Sequence, residues 1–197
     1  MPPGRRADAA PVGNLTVRPL SIAAVMVITP RRRGDGRGYF FESYRADDLA
    51  RVGIAATFVQ DNHAMSAQAG TIRGLHFQVP PKAQAKLVRV LKGSIFDVAL
   101  DLRRGSLTYG QWVAATLTAE GGEQIFVPRG FAHGYCTLEP DTEVAYKISD
   151  FYAPEHEAGI AWNDPRIGID WPLGGAEPIL SEKDARLPRL ADARLDP

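Results

Sequence analysis

The chain has 197 residues, 45% of them hydrophobic, and its 23 Lys and Arg are balanced by 23 Asp and Glu. That length supports one domain with a sizeable core, and the charge balance excludes a general electrostatic case for nucleic acid or an acidic membrane as partner. The single cysteine, Cys136, excludes an internal disulfide and fits a reducing cytoplasm; with no companion motif it reads as a small packing residue.

In chain order, residues 1–13, rich in Pro, Ala, Gly and Arg, read as a loose tail, leaving 14–197 as a single folded domain. No hydrophobic stretch follows Arg5 and Arg6 directly, as a signal peptide would need, and the later run I-A-A-V-M-V-I is too short to span a bilayer. R-A-D-D-L-A-R-V-G, from Arg45, predicts a helix with an acidic first turn and Gly53 as its C-cap. T-I-R-G-L-H-F-Q and K-L-V-R-V-L-K-G-S then read as buried strands. In S-I-F-D-V-A-L-D-L, Phe96, Val98, Leu100 and Leu102 share one face, while Asp97, Ala99 and Asp101 share the other. R-R-G-S supplies a turn, Y-G-Q-W-V-A-A-T-L a strand from Tyr109, E-G-G-E a turn and E-Q-I-F-V-P another strand. A P-R-G-F-A-H-G loop leads to strands Y-C-T-L and E-V-A-Y-K-I-S, and S-E-K-D at Ser181 has the capping-box form of a second short helix. Many short strands at regular spacing predict an all-β sandwich or barrel with a few short peripheral helices.

Arg73, His76 and Lys86 raise the functional question, because buried charge is costly unless paired or hydrogen-bonded. If their strands pair, Arg73 and Lys86 converge on one anion; the plain alternative is a solvated strand face. G-L-H-F-Q together with P-R-G-F-A-H resembles the two motifs of the cupin superfamily, a jelly-roll barrel. Metal-binding cupins carry an H-x-H pair, a glutamate soon after, and a histidine in the second motif. Here Gln78 stands at the second histidine and no acid follows before Asp97, so only His76 and His133 remain. Zinc or iron normally takes three or more protein ligands, so no metal is expected. A histidine in a polar pocket is otherwise a natural general base, weighed against a buried histidine satisfied by a backbone carbonyl.

A longer ordered set of stretches is more specific. R-G-Y-F-F-E-S, F-V-Q-D-N-H, R-G-L-H-F-Q, K-L-V-R-V, G-S-I-F-D-V-A-L-D-L-R, F-A-H-G-Y, V-A-Y-K, W-N-D-P-R-I-G-I-D-W-P and L-S-E-K-D resemble the dTDP-4-dehydrorhamnose 3,5-epimerase family, from about residue 25 to 187. The resemblance implies a cupin jelly roll that inverts carbons 3 and 5 of a dTDP-linked 4-keto-6-deoxyglucose without a cofactor. It implies His76 as base, Asp184 as the carboxylate orienting it, Tyr146 as proton donor, and Lys86 and His133 lining the sugar site. A carboxylate turned to His76 could not also cap a helix well. Nucleotide and diphosphate contacts fall on Arg37, Glu42, Gln60, Asn62, Arg73, Glu157 and Lys183, with Tyr152 as a packing surface. Arg37 and Arg73 offer the donor forks that suit phosphates. The family further implies a homodimer whose interface the N-terminal strands help to build. Relatives that invert a single carbon share these residues, so a mono-epimerase stays open, as does a sugar-nucleotide-binding cupin without turnover.

Overall fold

The computed structural model describes residues 10–195. Its strands are β1 (Ala10–Val12), β2 (Leu15–Pro19), β3 (Met26–Pro30), β4 (Arg33–Asp35), β5 (Gly38–Phe40), β6 (Gln60–Ser66) and β7 (Ile72–Gln78). The series continues with β8 (Lys86–Lys92), β9 (Ser94–Asp101), β10 (Trp112–Thr118), β11 (Gln124–Val127), β12 (Phe131–Thr137), β13 (Thr142–Ile148) and β14 (Glu157–Gly159). A seven-stranded sheet runs β1-β2-β3-β11-β8-β13-β6 and a five-stranded sheet runs β10-β9-β12-β7-β14. Sequence-distant neighbours, such as β11 beside β3 and β12 beside β7, mark the jelly roll.

Three apolar clusters hold the layers together. Val27, Val88, Ile95, Ala99, Ile125 and Phe131 fill the space between the sheets. Val98 and Leu100 of the other β9 face, with Leu102 just beyond the strand, pack under the C-terminal segment, against Ile167 and Trp171. The alternation expected along β9 is thus correct, but both faces are buried because each sheet face has a cover. A third cluster seats Leu49 of the helix α1 (Ala46–Arg51) on Leu15, Val17 and Phe126. Gly53, at φ +85°, follows α1 and donates its N–H to Ala50 O, as a C-terminal glycine should.

Four boundaries differ from the expectations. Residues 1–9 of the expected tail lie outside the described residues, whereas Ala10–Val12 pairs with β2 as an edge strand. Phe131 to Gly134, read as part of a loop, belong to β12, a central strand bonded to β9 and β7. The helix expected at Ser181 shrinks to one 3-10 turn, Asp184–Arg186. Its backbone keeps half of the capping box, the Asp184 N–H donating to the Ser181 hydroxyl at 3.1 Å, but the carboxylate points elsewhere. Finally, β7 and β8 do not pair; they lie in opposite sheets.

That separation places the site. Arg73 and His76 on β7 face Lys86 on β8 across the gap between the sheets. Gly74 and Gly134 let β7 and β12 approach closely: a Cβ on Gly74 would lie 2.7 Å from Gly134 Cα and from His133 O.

Candidate active site

A cavity of about 460 Å³ opens between the two sheets. One wall comes from the five-stranded sheet, with Arg73, His76, His133, Tyr135 and Glu157. The opposite wall comes from the seven-stranded sheet, with Gln60, Asn62, Lys86 and Tyr146. Tyr152 and the C-terminal Lys183 and Asp184 complete the lining.

Asp184 reaches the cavity because the C-terminal segment is pinned along its length. Ile179 bonds Ile72 N–H and Gly70 O, and Asp164 accepts the Leu190 and Arg166 N–H groups. Asp184 Oδ1 lies 2.7 Å from His76 Nε2. Burial pushes the Asp184 carboxyl upward, but the close contact and charge of His76, helped by the Ser181 hydroxyl and the backbone at Gly74, hold it below its ordinary value. Asp184 is therefore an anion held beside the imidazole. The second ring nitrogen, Nδ1, has no hydrogen-bond partner among the described residues; Glu157 Oε1 is 4.0 Å away.

Lys86 is 8% exposed, and its Nζ donates to the His76 carbonyl oxygen at 3.1 Å. Desolvation brings its pKa down to about 8, against the attraction of Asp97 and Glu157. A nearly desolvated ammonium has high leverage on negative charge developing beside it. Tyr146 stands two ladder positions from Lys86, since Ile148 pairs with Lys86 and Tyr146 with Val88. Burial raises its pKa, only partly offset by Arg73, so it holds its proton at neutral pH.

His133 pairs with His76 in the ladder, and its Nε2 lies 2.9 Å from a carboxylate oxygen of the fully buried Asp97. Burial raises the Asp97 carboxyl, while His133 and Lys86 pull it down. Sequence reasoning assigned Asp97 to a strand face without a role. Its signal was an acid inside an apolar alternation, where only a paired carboxylate survives. Tyr135 was missed as well, its core-like neighbours hiding a polar residue that lines the cavity.

The anion-binding candidates line the same cavity. The Lys183 ammonium contacts Glu157 Oε1, and the Tyr152 hydroxyl donates to Glu157 Oε2 at 2.8 Å. Burial raises the Glu157 carboxyl, but these bonds and the charges of Lys183 and His76 bring it below its usual value. Gln60 donates to Asn62 Oδ1 at 2.9 Å. Arg73 is braced by the Ser66 hydroxyl and the Met65 carbonyl. Two expected residues stand outside this cavity. Arg37 lies on the β4–β5 turn with its side chain 90% exposed and paired to Asp35, and Glu42 lines a separate hollow with Asn14 and Arg45. Gln78, at the position of a metal cupin's second histidine, spends its amide on backbone groups of Lys82, Phe151 and Ala153. Among the described residues, no three His, Cys, Asp or Glu side chains converge as a metal-ligand set.

A cupin-type jelly roll with a histidine–aspartate pair on one wall and a half-buried tyrosine and a buried lysine on the other defines a class: proton-transfer enzymes of the sugar-nucleotide type. The chain belongs to the dTDP-4-dehydrorhamnose 3,5-epimerase family, whose model matches residues 19–192. The enzyme of that name from Pseudomonas aeruginosa is 54% identical over 176 residues, covering 88% of this chain and 95% of its own. The Bacillus anthracis epimerase, solved with TDP and PPi bound, superposes with TM-score 0.87 at 48% identity, over 89% of this chain and 99% of that one. The Legionella pneumophila epimerase, solved with dTDP-4-keto-L-rhamnose, gives TM-score 0.85 at 44% identity, over 90% and 93%.

Proposed function

We propose that the protein converts dTDP-4-keto-6-deoxy-D-glucose into dTDP-4-keto-L-rhamnose by inverting carbons 3 and 5, a step of deoxysugar biosynthesis in the cytoplasm. The observation that carries this reading is the placement of His76 and Tyr146 on opposite walls of one cavity. Inversion requires a proton to leave one face of a carbon and another to arrive on the opposite face. The imidazole takes the proton beside the keto group, and the bonding electrons move onto the C4 oxygen as an enolate. The Lys86 ammonium stabilises that charge, and His133, held by Asp97, lines the same region. The Tyr146 hydroxyl then delivers its proton to the other face, and exchange with solvent restores phenol and imidazole. Every step is a proton transfer, so the chain's own residues suffice. Arg73 and Lys183 suit the diphosphate, with Gln60, Asn62, Tyr152 and Glu157 serving the nucleotide.

We also propose that the enzyme works as a homodimer, with Arg37 and Glu42 reaching substrate bound in the second copy. Their position outside the single-chain cavity supports this, as do Tyr39 and Phe40, exposed at 62% and 68% on the same hairpin. Sedimentation at micromolar concentration tests it; a monomer there sinks the idea.

The reaction is tested by incubating the protein with dTDP-4-keto-6-deoxy-D-glucose in deuterated water and following carbons 3 and 5 by NMR. Deuterium at both carbons, absent with His76→Ala, is expected. Label at one carbon would indicate a mono-epimerase, and none would overturn the assignment.

A further inference from the structure

Tyr135 has a buried polar group that the proposed chemistry does not use. The residue is 4% exposed, and its ring packs in the barrel core with Val88, Ile95 and Ala99. The residue lines the cavity that contains His76 and Tyr146, and its buried hydroxyl has no hydrogen-bond partner among the described residues. Tyr135 sits opposite Asp97 on one neighbouring strand and Arg73 on the other. Both neighbours are engaged: Asp97 accepts from His133, and Arg73 donates to Ser66 and the Met65 carbonyl. Burial keeps the phenol protonated, so it is available as a donor. A buried hydroxyl left unpaired costs stability, and Phe at this position would avoid that cost while filling the same core. The hydroxyl therefore needs a partner that arrives with the ligand.

We propose that the Tyr135 hydroxyl is a sugar-binding group, hydrogen-bonding an oxygen of the hexose and so favouring ligands that carry the sugar over the bare nucleotide. This rests on the reading of the cavity as a sugar-nucleotide site. The hexose is the part of the substrate that must approach His76, which shares this wall with Tyr135. Sites built to pair a ligand hydroxyl discriminate strongly against ligands that lack it.

The test is Tyr135→Phe, examined in three ways. The ligand-free variant should melt at the same temperature as wild type or higher. Calorimetric affinity for dTDP should be unchanged, while affinity for dTDP-glucose falls roughly 10-fold, and KM for the 4-keto substrate rises by a similar factor. A lower melting temperature would mean that the hydroxyl is a structural contact, and would overturn the proposal. So would an equal loss for dTDP and dTDP-glucose, or no loss for either. The binding arm separates this contact from the reaction itself. If wild type incorporates no deuterium yet the variant still loses dTDP-glucose selectively, the epimerase reading fails and the Tyr135 contact stands.

Discussion

Asp184 Oδ1 approaches His76 Nε2 to 2.7 Å, joining a 3-10 turn near the C-terminus to the middle of a central strand. The aspartate side chain is 6% exposed and the histidine 25%, so solvent screens the pair only weakly. The contact makes the C-terminal segment part of the cavity wall rather than a mere cover for the sheet.

Asp184→Asn is expected to lower kcat by about 10²–10⁴-fold, because the imidazole loses both its orienter and the anion that stabilises its charged form during reaction. The carboxyl is held below its ordinary value of 3.8. A depressed carboxylate pKa contributes stability above the unfolded value, lost as pH falls through the folded one. Urea midpoints should therefore favour wild type over Asp184→Asn at pH 7, with the gap closing below about pH 4. A constant gap would refute the ion-pair account.

Tyr146→Phe removes the proposed donor and leaves the base intact. Epimer formation is expected to fall by about 10²-fold or more, while exchange of the substrate's own protons with deuterated water falls much less. NMR reads both quantities in one sample. Equal losses of exchange and inversion would argue that Tyr146 serves binding instead.

The alkaline limb of kcat/KM should reflect Lys86. With its pKa near 8, the ammonium is present below that pH and lost above it, so activity should decline from about pH 8 upward. Lys86→Gln should lack this limb and have kcat reduced by about 10²–10³-fold. The stability sign is the reverse of a lysine whose pKa is raised by a partner. Folded Lys86 sheds its proton before the unfolded chain does, so its contribution to stability improves between about pH 8 and 10.5.

Asp97→Asn tests the buried charge beneath that lysine. Removing the anion should shift the alkaline limb to lower pH, because Asp97 is the leading attraction opposing Lys86 desolvation. It also deprives His133 of its carboxylate partner, and removing one partner of a buried pair typically costs about 3 kcal/mol or more. Urea denaturation and the pH profile of kcat/KM together check both effects. An unmoved limb would uncouple Asp97 from Lys86.

Gly74→Ala should destabilise the fold by about 2 kcal/mol or more. The backbone there has φ +120°, and the added methyl would meet backbone atoms of β12 at 2.7 Å. His133 belongs to that contact and Gly74 lies two residues from His76 on the same strand, so activity should fall with stability. A urea midpoint equal to wild type would contradict this packing.

The strands were legible because period-2 alternation is a local property, visible in S-I-F-D-V-A-L-D-L and in E-V-A-Y-K-I-S. The helix at Ala46–Arg51 was legible for the same reason, its acidic first turn and following glycine lying within one short stretch. The motif at Ser181 misled because a local capping signal competed with a distant partner: Asp184 turns to His76, and only one turn of 3-10 helix remains. The P-R-G-F-A-H-G stretch misled similarly, since turn residues marked a loop where two flanking strands impose β12.

For the site, the sequence by itself determined which residue types were available: a histidine without a metal-cupin partner, a lysine in an apolar strand, and an ordered series of motifs resembling one family. Pairings depend on strand order, which no local pattern encodes. Only the tertiary structure decided that β7 and β8 face each other from opposite sheets. Likewise it alone showed that Asp97 anchors His133 and that the buried Tyr135 hydroxyl finds no partner among the described residues. The physical reason is that desolvation and charge pairing are set by what packs around a group, and at His76 those neighbours come from distant parts of the chain.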